Sequence, residues 1–284
     1  MEIKEELKEL GDRTWRLKGK LWLRNIEDNK KLYGFKPTIG ELENKHKNQK
    51  AIIFSAGCHK DWLDRDHLGK IYSMKDRPLV IACDHAIPLF VDKGYTPDYI
   101  VSVDGSPLIA KYFWRKLKEK PKGVLLHTSI HPTTVEMVKA YEYPIYWFQH
   151  HKRKELAELF VEGVDSIGAA GNVGTHAWLI ALAVLKCKKV GLLDIEFAWS
   201  DEVPYRDRDR VPRLLYEYFY NPHTKTKYIA DTIYSLYMKN FKQGYESKAN
   251  KQERTVCLTK EGIIYESGIK YQSLEDYINS KLVV

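Results

Sequence analysis

Short, uniformly apolar runs recur along the chain at intervals that suit buried strands. Ala51-Ile52-Ile53-Phe54-Ser55 is followed by Leu79-Val80-Ile81-Ala82-Cys83, Tyr99-Ile100-Val101-Ser102-Val103 and Gly123-Val124-Leu125-Leu126-His127. Ile145-Tyr146-Trp147-Phe148 and Lys189-Val190-Gly191-Leu192-Leu193 complete the series. Stretches of helical length separate most of them, at 86–93, 107–119, 133–141, 153–160 and 173–186. Strands without polar alternation have no face for water, so this rhythm predicts an α/β fold with a mostly parallel sheet flanked by helices.

Both ends of the chain depart from the rhythm. Up to about residue 48 the sequence is highly charged, with Leu7, Leu10, Trp15, Leu17, Leu21, Trp22 and Ile26 on an imperfect helical face. Pro37 and Gly40 mark the exit from it. This predicts an N-terminal helical segment over 1–48, packed on a main domain over 49–284. Near the C-terminus, Ile229, Ile233, Leu236, Tyr237 and Phe241 predict a helix over 228–243, closed by Gly244. Thr255 to Leu258 and Ile263 to Tyr265, around Lys260-Glu261-Gly262, predict a small C-terminal hairpin, and 273–281 a last helix.

Composition narrows the class. A hydrophobic fraction of 44% and a charged fraction of 30% over 284 residues are those of a globular chain with a sizeable core. The longest apolar run, Ala177 to Leu185, is well short of the roughly 18 residues of a membrane span. The opening Met1-Glu2-Ile3-Lys4-Glu5-Glu6 lacks the basic-then-apolar order of a secretory signal. Cys58, Cys83, Cys187 and Cys257 form no Cys-x-x-Cys pair, which argues against a zinc knuckle and for a reducing, cytoplasmic setting. A net charge of +8 favours an anionic partner. The lysines and arginines are scattered, with no zinc-finger spacing or aromatic RNA-binding motif, which argues against nucleic acid.

Ligands of open α/β sheets bind outside the carboxyl ends of the strands. The residues just after each strand here are chemically loaded: Gly57, Cys58, His59 and Lys60; Asp84 and His85; Asp104-Gly105-Ser106; His127, Thr128, Ser129 and His131; Asp194 and Glu196. Asp84 and Asp104, at neighbouring strand ends, suit a shared Mg²⁺ bridged to phosphates, or the capping of the helices after them. Gly168 to Gly174, with Gly171, Asn172 and Gly174, precedes a buried helix, where small residues let backbone N–H groups approach an anion or simply allow close packing. His127, His131 and His85 are candidates for phosphate contact or acid–base work, against a structural role. His150-His151 reads as a solvated loop. Arg206 lies in the alternating stretch Pro204 to Arg213, an exposed surface or a lid whose arginines reach phosphates. Tyr216, Tyr218, Phe219 and Tyr220 read as core or as a ring-stacking wall.

Val80-Ile81-Ala82-Cys83-Asp84-His85-Ala86, then Gly94-Tyr95-Thr96-Pro97-Asp98 leading to Asp104-Gly105, resembles the MptE-like family, named for an archaeal hydroxymethyl-dihydropterin pyrophosphokinase. Gly171-Asn172-Val173-Gly174, and later Gly191-Leu192-Leu193-Asp194-Ile195-Glu196, are similar to its later elements. The resemblance runs over roughly residues 20 to 280. It implies a Rossmann-like fold and diphosphate transfer from ATP to a pterin hydroxymethyl group with Mg²⁺. Asp84 and Asp104 would be the metal-side carboxylates, and His127 the histidine of the family's strand-end turn. Three positions depart from the pattern: Ala56-Gly57-Cys58-His59 replaces Gly-Pro-Ser, Gly171 to Gly174 replaces an acidic turn, and Glu196 stands for an Asp. These fit better the wider family, which includes motility accessory factors of the glycosyltransferase type.

The expectation is therefore a Mg²⁺-assisted transferase using ATP or a related nucleotide and a small hydroxyl acceptor. Glycosyl transfer from a nucleotide sugar and plain nucleotide or RNA binding are the rivals. A homo-oligomer is compatible with this reading.

Overall fold

The computed structural model describes residues 2–55, 57, 66–152, 154–168, 171–200 and 216–280. Eleven strands are found among them: β1 (Lys50–Phe54), β2 (Leu79–Cys83), β3 (Tyr99–Ser102), β4 (Gly123–His127), β5 (Ile145–His150), β6 (Ser166–Ile167), β7 (Lys189–Leu193), β8 (Trp199–Ser200), β9 (Tyr216–Asn221), β10 (Thr226–Asp231) and β11 (Thr255–Cys257). The α-helices are α1 (Glu2–Leu32), α2 (His67–Tyr72), α3 (Ile87–Lys93), α4 (Pro132–Ala140), α5 (Val173–Ala183), α6 (Thr232–Glu246), α7 (Ala249–Arg254) and α8 (Leu274–Asn279).

Eight strands form one parallel sheet in the order β11-β7-β1-β2-β3-β4-β5-β6. Every residue of β1, β2, β3 and β4 is buried, as uniformly apolar runs require. The alternating side chains supply two cores. Ile52, Phe54, Val80, Ala82, Val124 and Leu126 meet α2, α3, α4 and α8 on one face. Ile53, Ile81, Val101 and Leu192 meet α5 and α6 on the other. The chain walks from β1 to β6 in one direction, then crosses back through α5 to place β7 on the far side of β1. That reversal is the switch point at which such sheets open a crevice.

The 3-10 turn Pro107–Phe113 replaces most of the helix expected over 107–119, and Lys154–Leu159 is likewise 3-10. A hairpin near the C-terminus exists, but not at 255–265. Residues 255–257 join the main sheet parallel to β7, and Ile264–Ser267 is a 3-10 turn. The hairpin is β9–β10, extended by β8 into an antiparallel sheet. Phe219 packs inward, while Tyr218 and Tyr220 are 60% and 57% exposed. The helix expected from 228 begins at Thr232, because Asp231 caps it by accepting the Tyr234 N–H at 2.7 Å. Gly244 lies inside that helix rather than ending it.

Two elements place the loops. Asp98, from the Pro97-Asp98 pair, is buried at the amino end of β3 and accepts from Val80 N at 2.8 Å, from Arg77 and from Lys122. Burial alone would raise its carboxyl, but these bonds outweigh burial and hold it below the usual carboxylate range. At the opposite edge, α1 lies over the loops after β3 and β4. Asn25 Nδ2 donates to Gly105 O at 3.0 Å and Ser129 O at 2.9 Å. One turn on, Asn29 Nδ2 donates to Thr128 O at 3.1 Å and Ile130 O at 2.8 Å. The helix approaches so closely that a Cβ on Gly105 would come within 2.7 Å of both Ser129 O and Trp22. Leu17, expected on the buried face, is 76% exposed, whereas Ile26 is buried.

Replacing Asn29 by Leu strands two buried carbonyls, which is expected to cost about 1–3 kcal/mol. Urea denaturation of N29L against the parent checks this, and an unchanged midpoint would show that α1 is not fastened by these bonds.

Candidate functional site

The carboxyl ends of the strands carry three neighbouring groups of polar side chains. The first lies after β2 and β3. Asp84 is 2% exposed. Its Oδ2 accepts the Ser102 hydroxyl at 2.6 Å, and its Oδ1 meets both the His85 N–H and His85 Nδ1 at 2.8 Å. An ionised carboxylate only accepts, so His85 Nδ1 carries the proton and Nε2 is the basic nitrogen of the neutral ring. The His85 side chain is 41% exposed and its ring lies 4.1 Å from that of Tyr112. A buried acid thus orients a half-exposed histidine.

The second group is a row of histidines joining β4, β5 and α5. His127, at the end of β4, accepts the Ser129 N–H on Nδ1 at 3.2 Å, with the Ser129 hydroxyl 2.8 Å away. Its Nε2 is buried and without a hydrogen-bond partner among the described residues, an arrangement that typically costs about 1–3 kcal/mol. The His150 ring lies 4.3 Å from the His127 ring, and His150 Nε2 is 2.7 Å from His176 Nε2. His176, in the first turn of α5, donates from Nδ1 to Asn172 O at 2.7 Å. That carbonyl fixes the tautomer, so Nε2 of His176 accepts from His150. Burial, and secondarily His176, lowers the His127 pKa to about 3; burial lowers that of His176 to about 4. Both rings are uncharged at neutral pH.

The third group flanks the β1–β7 crevice. A Cβ on Gly57 would come within 2.8 Å of Asp194 O and 3.0 Å of Glu196 Oε1, and one on Gly174 within 2.8 Å of Ser55 Oγ. Asp194 (φ 55°) and Phe197 (φ 55°) hold the left-handed conformation just after β7, a strain that clusters at working sites. Asp194 and Glu196 are buried carboxylates. Asn172 caps α5, its Oδ1 accepting from Thr175 N at 3.0 Å, and Gly171 (φ 86°) turns the chain against the Tyr237 ring. Burial, then the charges of Asp104 and Asp231, pushes the Tyr237 phenol up to about 12.

Asp104 is half-exposed, accepts from Ser106 N at 3.0 Å and faces Lys18 at 3.7 Å. Among the described residues no three His, Cys, Asp or Glu side chains converge to hold a metal ion. Asp84 has both oxygens engaged, so Asp104 is the more available donor of the expected pair. A Mg²⁺ ion at this edge fits if phosphates and water complete its shell, the usual arrangement for that ion. Cys58, His59, Lys60 and Arg206 lie outside the described residues. A groove of about 660 Å³ opens on the opposite edge. There Lys50 is engaged with the Tyr277 carbonyl, and Arg77 and Lys122 with Asp98.

His131 caps α4, accepting the Thr133 N–H at 3.2 Å. His150 is not in a solvated loop, because β5 extends two residues beyond Phe148. His176 was not among the sequence-based candidates; its position four residues after the cap Asn172 is the signal that marks it. Ser102 gave no signal beyond its place in a strand.

The unfolded chain protonates both histidines near their ordinary pKa of 6.5, whereas the folded chain resists until about 4 and 3. The unfolded state therefore binds more protons in this window. Stability is full above it and falls as pH drops through it, with a slope of up to about 1.4 kcal/mol per pH unit for each ring. Urea denaturation from about pH 7 to about pH 4 measures this. His176→Asn should flatten the slope, and an unaltered slope would assign the acid sensitivity elsewhere.

Among solved structures, the chain is similar to a MAf glycosyltransferase from Magnetospirillum magneticum AMB-1, at 10% sequence identity and a TM-score of 0.60. The match covers 86% of this chain and 38% of that one, so this chain spans well under half of that protein. Curated proteins give no match. No helix among the described residues is long and apolar enough to cross a membrane. The family model described as 6-hydroxymethylpterin diphosphokinase MptE-like matches residues 20–202. This chain belongs to the MptE-like family.

Proposed function

We propose that this protein is a nucleotide-using transferase that moves a diphosphate group from ATP to the hydroxyl of a small acceptor such as a hydroxymethyl pterin. The observation that carries this reading is the Asp84–His85 pair, a buried acid fixing a half-exposed histidine at the edge where α5 presents its amino end. His85 Nε2 takes the proton of the acceptor hydroxyl as the oxygen bonds to the β-phosphorus of ATP. The bond from that phosphorus to the bridging oxygen breaks, and AMP leaves with the electron pair. Asp84 steadies the imidazolium that forms. The amino end of α5 and the Gly171–Gly174 turn favour the phosphates. Bound Mg²⁺, held by Asp104 and the phosphates, would neutralise charge spreading over the transferred group.

The second reading is glycosyl transfer from a nucleotide sugar. It is favoured by the non-acidic Gly171–Gly174 turn and by the likeness in fold to a glycosyltransferase.

His85→Gln is expected to lower AMP release from Mg·ATP and acceptor by about a hundredfold or more, with little change in melting temperature. Asp84→Asn should lower both. A His85→Gln enzyme with full turnover would remove His85 as the base. A thermal-shift screen of ATP, CMP and a CMP-sugar, with and without Mg²⁺, separates the two readings, because ligands that bind the native state raise its melting point. Stabilisation by CMP-sugar and none by Mg·ATP would replace diphosphate transfer with glycosyl transfer.

A further inference from the structure

The proton position on His127 is set by its surroundings. Nδ1 accepts the Ser129 backbone N–H, so the neutral ring carries its hydrogen on Nε2. That N–H is buried and finds no acceptor among the described residues. Native proteins rarely leave a buried donor unused, so one at a strand's carboxyl end calls for an acceptor. A second donor of the same kind is the side-chain amide of Asn172, whose Nδ2 is also buried and without a partner among those residues. The two are joined through the histidine row: Asn172 O receives His176, His176 receives His150, and the His150 ring lies 4.3 Å from that of His127. Asn172 caps an eleven-residue helix, so the positive end of the α5 dipole adds to both donors.

We propose that His127 Nε2–H and the Asn172 side-chain amide hold an oxyanion of the substrate, a phosphate or carboxylate oxygen, at the amino end of α5. His127 is then a substrate-contacting donor and not the base that strand-end histidines commonly supply. Burial keeps it uncharged, so the cradle is the same throughout the neutral pH range. Binding through neutral donors also depends less on salt than binding through lysine side chains would. The proposal rests on the transferase reading only for which substrate supplies the oxygen.

The test uses the full chain labelled with ¹⁵N-histidine, following the His127 Nε2 resonance by NMR. Inorganic pyrophosphate with Mg²⁺ and, separately, N-acetylneuraminate serve as probes. A shift of that resonance with pyrophosphate supports a phosphate oxygen, and a shift with N-acetylneuraminate supports a carboxylate. No shift with either overturns the proposal. Calorimetry of the responsive probe adds two variants. His127→Phe should weaken binding by about tenfold, whereas His127→Gln, which keeps a neutral donor, should stay within about threefold of the parent. Equal losses in both, or none in either, would make His127 a packing residue. Where His127→Phe fails to fold, the parent resonance alone decides. Loss of ATP turnover with the pyrophosphate response intact would count against the reaction and leave the cradle standing.

Discussion

A parallel sheet can satisfy its backbone only through neighbouring strands, and its crossover helices cover both faces, so water and ligands reach it only along its two edges. Eight strands here point the same way, with their carboxyl ends along a single edge. Everything else in the molecule is arranged around that constraint. The helices α2, α3 and α4 return the chain on one face, α5 returns it on the other, and the reversal between β1 and β7 opens the crevice. Polar residues that end consecutive strands are brought together whatever their separation in sequence. Asp84, Ser102 and His127 become neighbours of one edge for that reason, as do His150 and Asp194.

Burial then assigns chemistry to groups that are similar in isolation. His85 and His127 both come at strand ends, yet they differ in role. His85 is half-exposed and backed by a carboxylate. His127 is enclosed beside two more histidines and Phe148, so the charged form is suppressed and only its hydrogen-bonding capacity remains. The carboxylates divide in the same way. Asp84 spends both oxygens on protein partners, while half-exposed Asp104 faces Lys18 and can turn toward an incoming cation. The helix α1 steadies this division. Its two asparagines read four backbone carbonyls of the β3 and β4 loops, fixing the position of Ser129 and through it the tautomer of His127.

The part of the family pattern that was easiest to see in the sequence proved architectural. Pro97-Asp98 marks the start of β3, where Asp98 gathers Arg77, Lys122 and the Val80 N–H, at the edge away from the site. A buried, multiply bonded carboxylate is as demanding of its sequence as a catalytic one, so the two cannot be told apart by residue type. The aromatic run after residue 215 was ambiguous for another reason. A period-2 pattern was present, with Phe219 inward and Tyr218 and Tyr220 outward, but nothing local says which strand lies beside it.

The sequence by itself determined the six long strands of the parallel sheet, nearly to the residue, because burial on both faces demands continuous apolar runs. It also determined that ionisable residues gather at the carboxyl edge, because they come directly after those runs. Tertiary structure alone decided the fate of Thr255 to Cys257, whose β-forming residues suit a hairpin as well as a parallel edge and pair with β7 because that edge was open. It alone decided that His150 and His176 join His127, and that Ser102 hydrogen-bonds Asp84. Hydrogen bonds between side chains depend on distances across crossovers of many residues, which local periodicity does not encode.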